Sequence, residues 1–111
     1  MKGYVMVGSS NLNTSRAFYD EVLAVLGMSS MYEDEVCIGY AHEGNADVEF
    51  YITKPANGEP VTFGNGTQIS FLTKTKEQVE RFHQIALGLG ATNEGNPGFR
   101  PHDSNVYYAY V

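Results

Sequence analysis

The chain has 111 residues, 42% of them hydrophobic, with a formal charge of −6 and an isoelectric point near 4.8. Seven Lys and Arg spread among 13 Asp and Glu exclude the basic face that a nucleic-acid partner needs, and the chain holds no apolar run of about 18 residues that could cross a bilayer. The size allows one domain, or two small halves sharing a core. Cys37, the only cysteine, cannot form an internal disulfide, and MKGYVMVGSSNL turns polar too early for a signal-peptide core; both point to the cytoplasm. Within VCIGY, Cys37 reads as a buried small hydrophobe.

In chain order, GYVMVGS at 3–9 alternates weakly and predicts a strand. A helix follows over NLNTSRAFYDEVLAVLG. Asn13 is its expected N-cap, with Leu12 before it as the outer half of a hydrophobic staple. Phe18, Val22 and Val25, with Tyr19, Leu23 and Leu26, form a broad apolar stripe, and Gly27 is the C-terminal stop. Three short strands are expected next, over MSSMYE, EVCIGYAH and DVEFYITK. HEGNAD and KPANGEP carry the turn chemistry. In the third strand a period of two puts Val48, Phe50 and Ile52 on the helix side, and Glu49, Tyr51 and Thr53 on the other, facing a cleft or solvent. GNGT at 64–67 is a turn before a strand and not a phosphate loop.

TQISFLT at 67–73 predicts another strand. Thr75 and Gln78 have capping-box spacing, and the helix they open should run from Lys76 to Leu89, with Val79, Phe82, Ile85, Ala86 and Leu89 inward and Gly90 as its stop. ATNEG reads as a short strand, NPGFRPHDS as a loop and NVYYAYV as a strand. The halves repeat: Tyr4 and Gln68 open equivalent strands 64 residues apart, and Gly27 and Gly90, each after a Leu, close equivalent helices 63 apart. Each unit reads as βαβββ. The expected organisation is a single domain over 1–111 made of two modules, 1–60 and 66–111. The second is one strand short, so the edge of NVYYAYV implies a further strand beyond Val111.

SRAFYDEVLAVLGM at 15–28 resembles the first helix of the vicinal oxygen chelate superfamily, which holds glyoxalase I, bleomycin-resistance proteins and extradiol dioxygenases. GTQISF, VERFHQIALGLGATNEGNPGFRPH and NVYYAYV are similar to the second module of its small bacterial glyoxalase-like members. The resemblance covers nearly the whole chain. It implies an α+β fold in which tandem βαβββ modules curl into a half-open sheet around a cleft. It also implies a D-P-D-G-type turn and final strand after the place of Val111, and a homodimer.

In enzymes of that superfamily a divalent metal is held in the cleft, often by a His on the first strand of each module and a Glu on a late strand, leaving positions open for two substrate oxygens. The matching first-strand positions here are Tyr4 and Gln68, and the last-strand carboxylate would lie beyond Val111. With two of four places altered, a bound metal is not expected. The expected function is binding of a small molecule in an aromatic cleft; the alternative is a metal-dependent lyase or dioxygenase. The candidate ligand-binding residues are Tyr4, Glu49, Tyr51, Gln68, Arg100, His102 and Tyr107. Tyr4, Tyr51, Tyr107, Tyr108 and Tyr110 supply the aromatic surface. Arg100, His102 and Asp103 lie in a loop stiffened by Pro97, Gly98 and Pro101. They either clamp a carboxylate and relay a proton, which would permit metal-free acid/base chemistry, or satisfy one another and the loop backbone. His42 is expected on the surface and His83 half-buried at the edge of the second helix's stripe.

Overall fold

The computed structural model of the chain describes residues 3–99 and 106–111. A first strand β1 (Val5–Gly8) leads into helix α1 (Leu12–Ala24), followed by β2 (Met28–Glu33), β3 (Cys37–His42) and β4 (Phe50–Thr53). These strands form one mixed sheet in the order β1-β4-β3-β2, with β1 parallel to β4 and the other pairs antiparallel. Helix α2 (Lys76–Gly88) and an antiparallel pair, β5 (Gly95–Phe99) and β6 (Tyr107–Tyr110), complete the described elements. The fold is α+β, a curled and unclosed four-stranded sheet packed by helices.

Local chemistry sets each boundary. The N-cap of α1 is Asn11, not Asn13: its side chain accepts from the Thr14 amide at 3.1 Å, while the Ser9 hydroxyl accepts from the Asn11 amide at 3.2 Å. That pre-positioned turn starts the helix two residues early and places Leu12 inside it. Gly27 (φ 78°) and Gly90 (φ 102°) turn the chain left-handed after each helix, where a side chain would be strained. Thr75 caps α2 through the Gln78 amide, but Gln78 departs from a simple capping box. Its Oε1 accepts from Lys74 N at 2.7 Å and its Nε2 donates to Val25 O at 3.2 Å, fastening α2 to the end of α1.

One core serves both halves of the chain. Val22, Leu23 and Leu26 of α1 meet Met28, Ile38, Tyr40, Phe50 and Ile52 of the sheet and Ala86 of α2, and Ile69, Phe71, Phe82 and Ile85 pack against them. Phe50 is ringed by Tyr19 (centroids 5.0 Å apart), Tyr40 (6.3 Å) and Phe71 (5.2 Å). The buried Tyr40 donates its hydroxyl to Asp20 Oδ1 at 2.8 Å; burial, then that carboxylate, push its phenol far above the ordinary value. Asp20 also holds Arg16, which reaches Glu33 on β2. His83 is more deeply buried than expected, its Nε2 against Asn93 Oδ1 at 3.1 Å. Cys37 is half-buried, at the start of β3.

Two predicted elements come out differently. Residues 67–73 form no ladder. In the first half β1 draws its only partner from β4, the last strand of its unit, and no described strand takes that place beside 67–73. NPGF, expected as loop, lies in β5, whereas ATNEG, expected as a short strand, contributes only Gly95 to it. Pro97 is tolerated because β5 has one neighbour among the described residues and its register with β6 slips between Gly95 and Gly98.

Removing the core contact of Ile52 by Ile52→Ala should cost about 3 kcal/mol in urea unfolding, and Tyr40→Phe about 1 kcal/mol for the lost hydrogen bond to Asp20.

Candidate functional site

The side of the sheet turned away from the core carries a cross-strand row. Met6 pairs with Tyr51, Tyr51 with Gly39, and Gly39 with Tyr32, so the four share one face. Tyr4, two residues before Met6, stands on the same side and meets the Tyr51 ring edge-on at 4.9 Å and 76°. Tyr4, Met6 and Tyr32 are exposed and Tyr51 is half-buried, and none of the row is charged. Gly39 is what lets the row lie flat. A Cβ there would come within 2.9 Å of Val48, closer than real Cβ atoms approach, and would crowd the Tyr51 ring at 3.0 Å.

Val48 therefore lies on the Tyr51 side, contrary to the period-of-two expectation. The cause is a bulge: Glu49 and Phe50 both stand opposite Tyr40, Glu49 through its amide on Tyr40 O at 2.9 Å and Phe50 as the register partner. The extra residue reverses the alternation ahead of β4. Glu49 is drawn to the end of β3, where its Oε2 accepts from the His42 amide at 2.6 Å and both oxygens lie 2.9–3.0 Å from His42 Nδ1. Burial pushes the Glu49 carboxyl up, but bonds from the His42 amide and ring and the Asn45 side chain outweigh it and hold it below its ordinary value. His42 is on the surface, as expected, but it is paired.

The other candidates are placed elsewhere. Gln68 is exposed in the unladdered stretch, its amide 3.5 Å from Ser70 Oγ. Tyr107 belongs to a second cluster: its ring meets Phe99 edge-on at 5.1 Å, Lys76 Nζ lies 4.6 Å from the Phe99 centroid, and its hydroxyl donates to Glu80 at 3.5 Å. Arg100, His102 and Asp103 lie outside the described residues. The structure thus brings Tyr4 and Tyr51 together and sets Glu49 and Tyr107 in other contacts. Sequence reasoning missed Met6, Tyr32 and Val48 on this face. Met6 alone was within reach of an alternation argument, being two residues from Tyr4.

Both Glu49 oxygens are engaged by His42, and among the described residues no three His, Cys, Asp or Glu side chains cluster. At the far end of the face the Tyr32 hydroxyl donates to Asp34 Oδ2 at 2.6 Å, while Asp34 Oδ1 accepts the amides of Val36 and Cys37 at 2.8 Å each. The Tyr32 hydroxyl and these amides hold the Asp34 carboxyl down to about 2. A carboxyl lowered on folding stabilises the fold above its unfolded value and loses that contribution as pH falls through the folded one. Stability should therefore decline on acidification from the ordinary carboxylate range towards pH 2. In Asp34→Asn and Glu49→Gln that acid limb should be shallower, as circular dichroism melts at stepped pH would record.

No family model and no curated protein matches the chain. Among solved structures it is similar to the crystal structure of a glyoxalase/bleomycin resistance protein from Albidiferax ferrireducens T118. The TM-score is 0.82 and the sequence identity 34%, covering 98% of this chain and 86% of that one. No described helix is long and apolar enough to cross a membrane. At that identity and coverage, the chain belongs to the glyoxalase/bleomycin resistance family, within the vicinal oxygen chelate superfamily.

Proposed function

We propose that the chain binds a small planar organic molecule on the tyrosine face of its sheet, without the usual superfamily metal. The observation that carries this reading is the uncharged row of Tyr4, Met6, Tyr51 and Tyr32, left open on the side away from the core and flattened by Gly39. Aromatic rings with hydroxyls at their edges favour a flat apolar ligand with a few polar substituents, and a charge of −6 disfavours an anionic one. The engagement of Glu49 by His42, and Tyr4 and Gln68 where imidazoles would stand, support the metal-free part. We further infer a single domain of two modules, 1–60 and 66–111, working as a cytoplasmic homodimer. The shared core of Phe50, Phe71 and Phe82 supports the one-domain part.

The chain has no Trp, so its emission comes from eight Tyr, of which Tyr4, Tyr32 and Tyr51 lie on this face. In a thermal-shift screen of planar aromatic compounds, hits should quench tyrosine emission. Tyr51→Ala should weaken them about tenfold, a loss of about 1.4 kcal/mol. Hits that bind Tyr51→Ala as tightly as the unaltered chain would place the site elsewhere.

A further inference from the structure

Tyr32 closes the tyrosine row at its β2 end, and its hydroxyl is held in one direction. It donates to Asp34 Oδ2 at 2.6 Å, the length of a charge-assisted O–H···O⁻ bond. The acceptor cannot turn aside, because Asp34 Oδ1 takes the Val36 and Cys37 amides at 2.8 Å each. Nor does it lose its charge at neutral pH. The Tyr32 hydroxyl and those amides hold its carboxyl down to about 2, and among the described residues no cation pairs with it. The bond to Asp34 pushes the Tyr32 phenol up, so the phenol keeps its proton. A phenol has one hydrogen to give. With that hydrogen fixed on Asp34, the oxygen turns only lone pairs towards a neighbour on the face, and donation to an anion makes it a stronger acceptor. Tyr32 stands two strands from Tyr51 across Gly39, about 10 Å by the spacing of strands, and it is exposed.

We propose that Tyr32, oriented by Asp34, is the specificity-determining residue of the tyrosine face, and that it selects planar aromatic ligands carrying an O–H or N–H donor on the edge turned towards β2. This rests on the reading of that face as the binding site and names what the site selects. A ligand seated on Tyr51 meets, at the β2 end, an acceptor backed by a negative charge. An O–H or N–H there completes a chain of bonds running from ligand to Tyr32 to Asp34. A carbonyl, carboxylate or ring nitrogen in the same place sets lone pairs against lone pairs and gains no bond for the water it displaces. Polarity is read more sharply in this way than apolar contact allows. Asp34 touches no ligand. It is a positioning residue that acts through the direction of one hydrogen.

The test is calorimetric titration of the full chain at neutral pH with 2-naphthol, 2-methoxynaphthalene and quinoline. The first carries an O–H on its edge, the second has a methyl in place of that hydrogen, and the third only accepts. The chain should bind 2-naphthol about tenfold tighter than the other two. In Tyr32→Phe the three should bind alike, because the ring is kept and the acceptor is gone. In Asp34→Asn the side-chain oxygen keeps the two amides and the NH₂ turns to Tyr32, which releases the phenol hydrogen to the ligand. Quinoline should then gain on 2-naphthol, a reversal that a loosened turn alone would not produce. Equal binding of all three by the unaltered chain would overturn the inference, as would a 2-naphthol preference that survives Tyr32→Phe. So would an unchanged preference in an Asp34→Asn variant that keeps its circular dichroism spectrum. If binding in those cases is still weakened by Tyr51→Ala, the reading of the face stands without the selection. Binding indifferent to Tyr51→Ala, or none by any of the three compounds, would overturn both.

Discussion

Phe50 is the contact on which the rest of the structure depends. It lies on β4, the strand that joins β1 to β3, and its ring touches Tyr19 of the first helix, Tyr40 of β3 and Phe71 of the second half. A chain of 111 residues has little interior to share, so one aromatic cluster must hold both helices and the sheet. Because Phe50 and Ile52 face inward, Tyr51 must face outward. The packing of the core and the exposure of the tyrosine face are two consequences of one alternation.

The bulge ahead of β4 modifies that alternation and with it the chemistry. One extra residue opposite Tyr40 takes Glu49 towards His42 and delivers Val48 to the face in its stead. A carboxylate that could have stood beside Tyr4 becomes a turn bond, and an apolar side chain borders Tyr51. Both changes leave the face around Tyr51 less polar. Members of one family can differ in this way, since the scaffold fixes where side chains stand and not what they do.

The helix stripes, the glycine stops at Gly27 and Gly90 and the inward faces of Phe50 and Ile52 were legible in the sequence, because long-range packing agrees there with local pattern. Where the two diverge the reading failed. Asn11 outcompeted Asn13 because Ser9 holds its amide, a contact that no propensity encodes. Pro97 argued against a strand that a register slip permits. Residues 67–73 have the pattern of a strand and the packing of one, but a strand is defined by its neighbour, and no pattern within seven residues supplies that. The tyrosine row was half legible: Tyr4 and Tyr51 were identified, whereas Tyr32 joins only through the register of β2 on β3, which itself carries a bulge between Ser30 and Tyr32.

The most direct test of a metal-free face is calorimetric titration of untagged, chelator-treated protein with Ni²⁺, Zn²⁺, Mn²⁺ and Fe²⁺. The reading developed from Tyr4, Gln68 and the His42-bound Glu49 predicts no stoichiometric heat for any of the four. One equivalent bound at micromolar affinity or tighter, and lost in Glu49→Gln, would contradict it. That result would mean that Glu49 leaves His42 for a cation, and would return the chain to the metal-dependent lyase or dioxygenase chemistry of its superfamily.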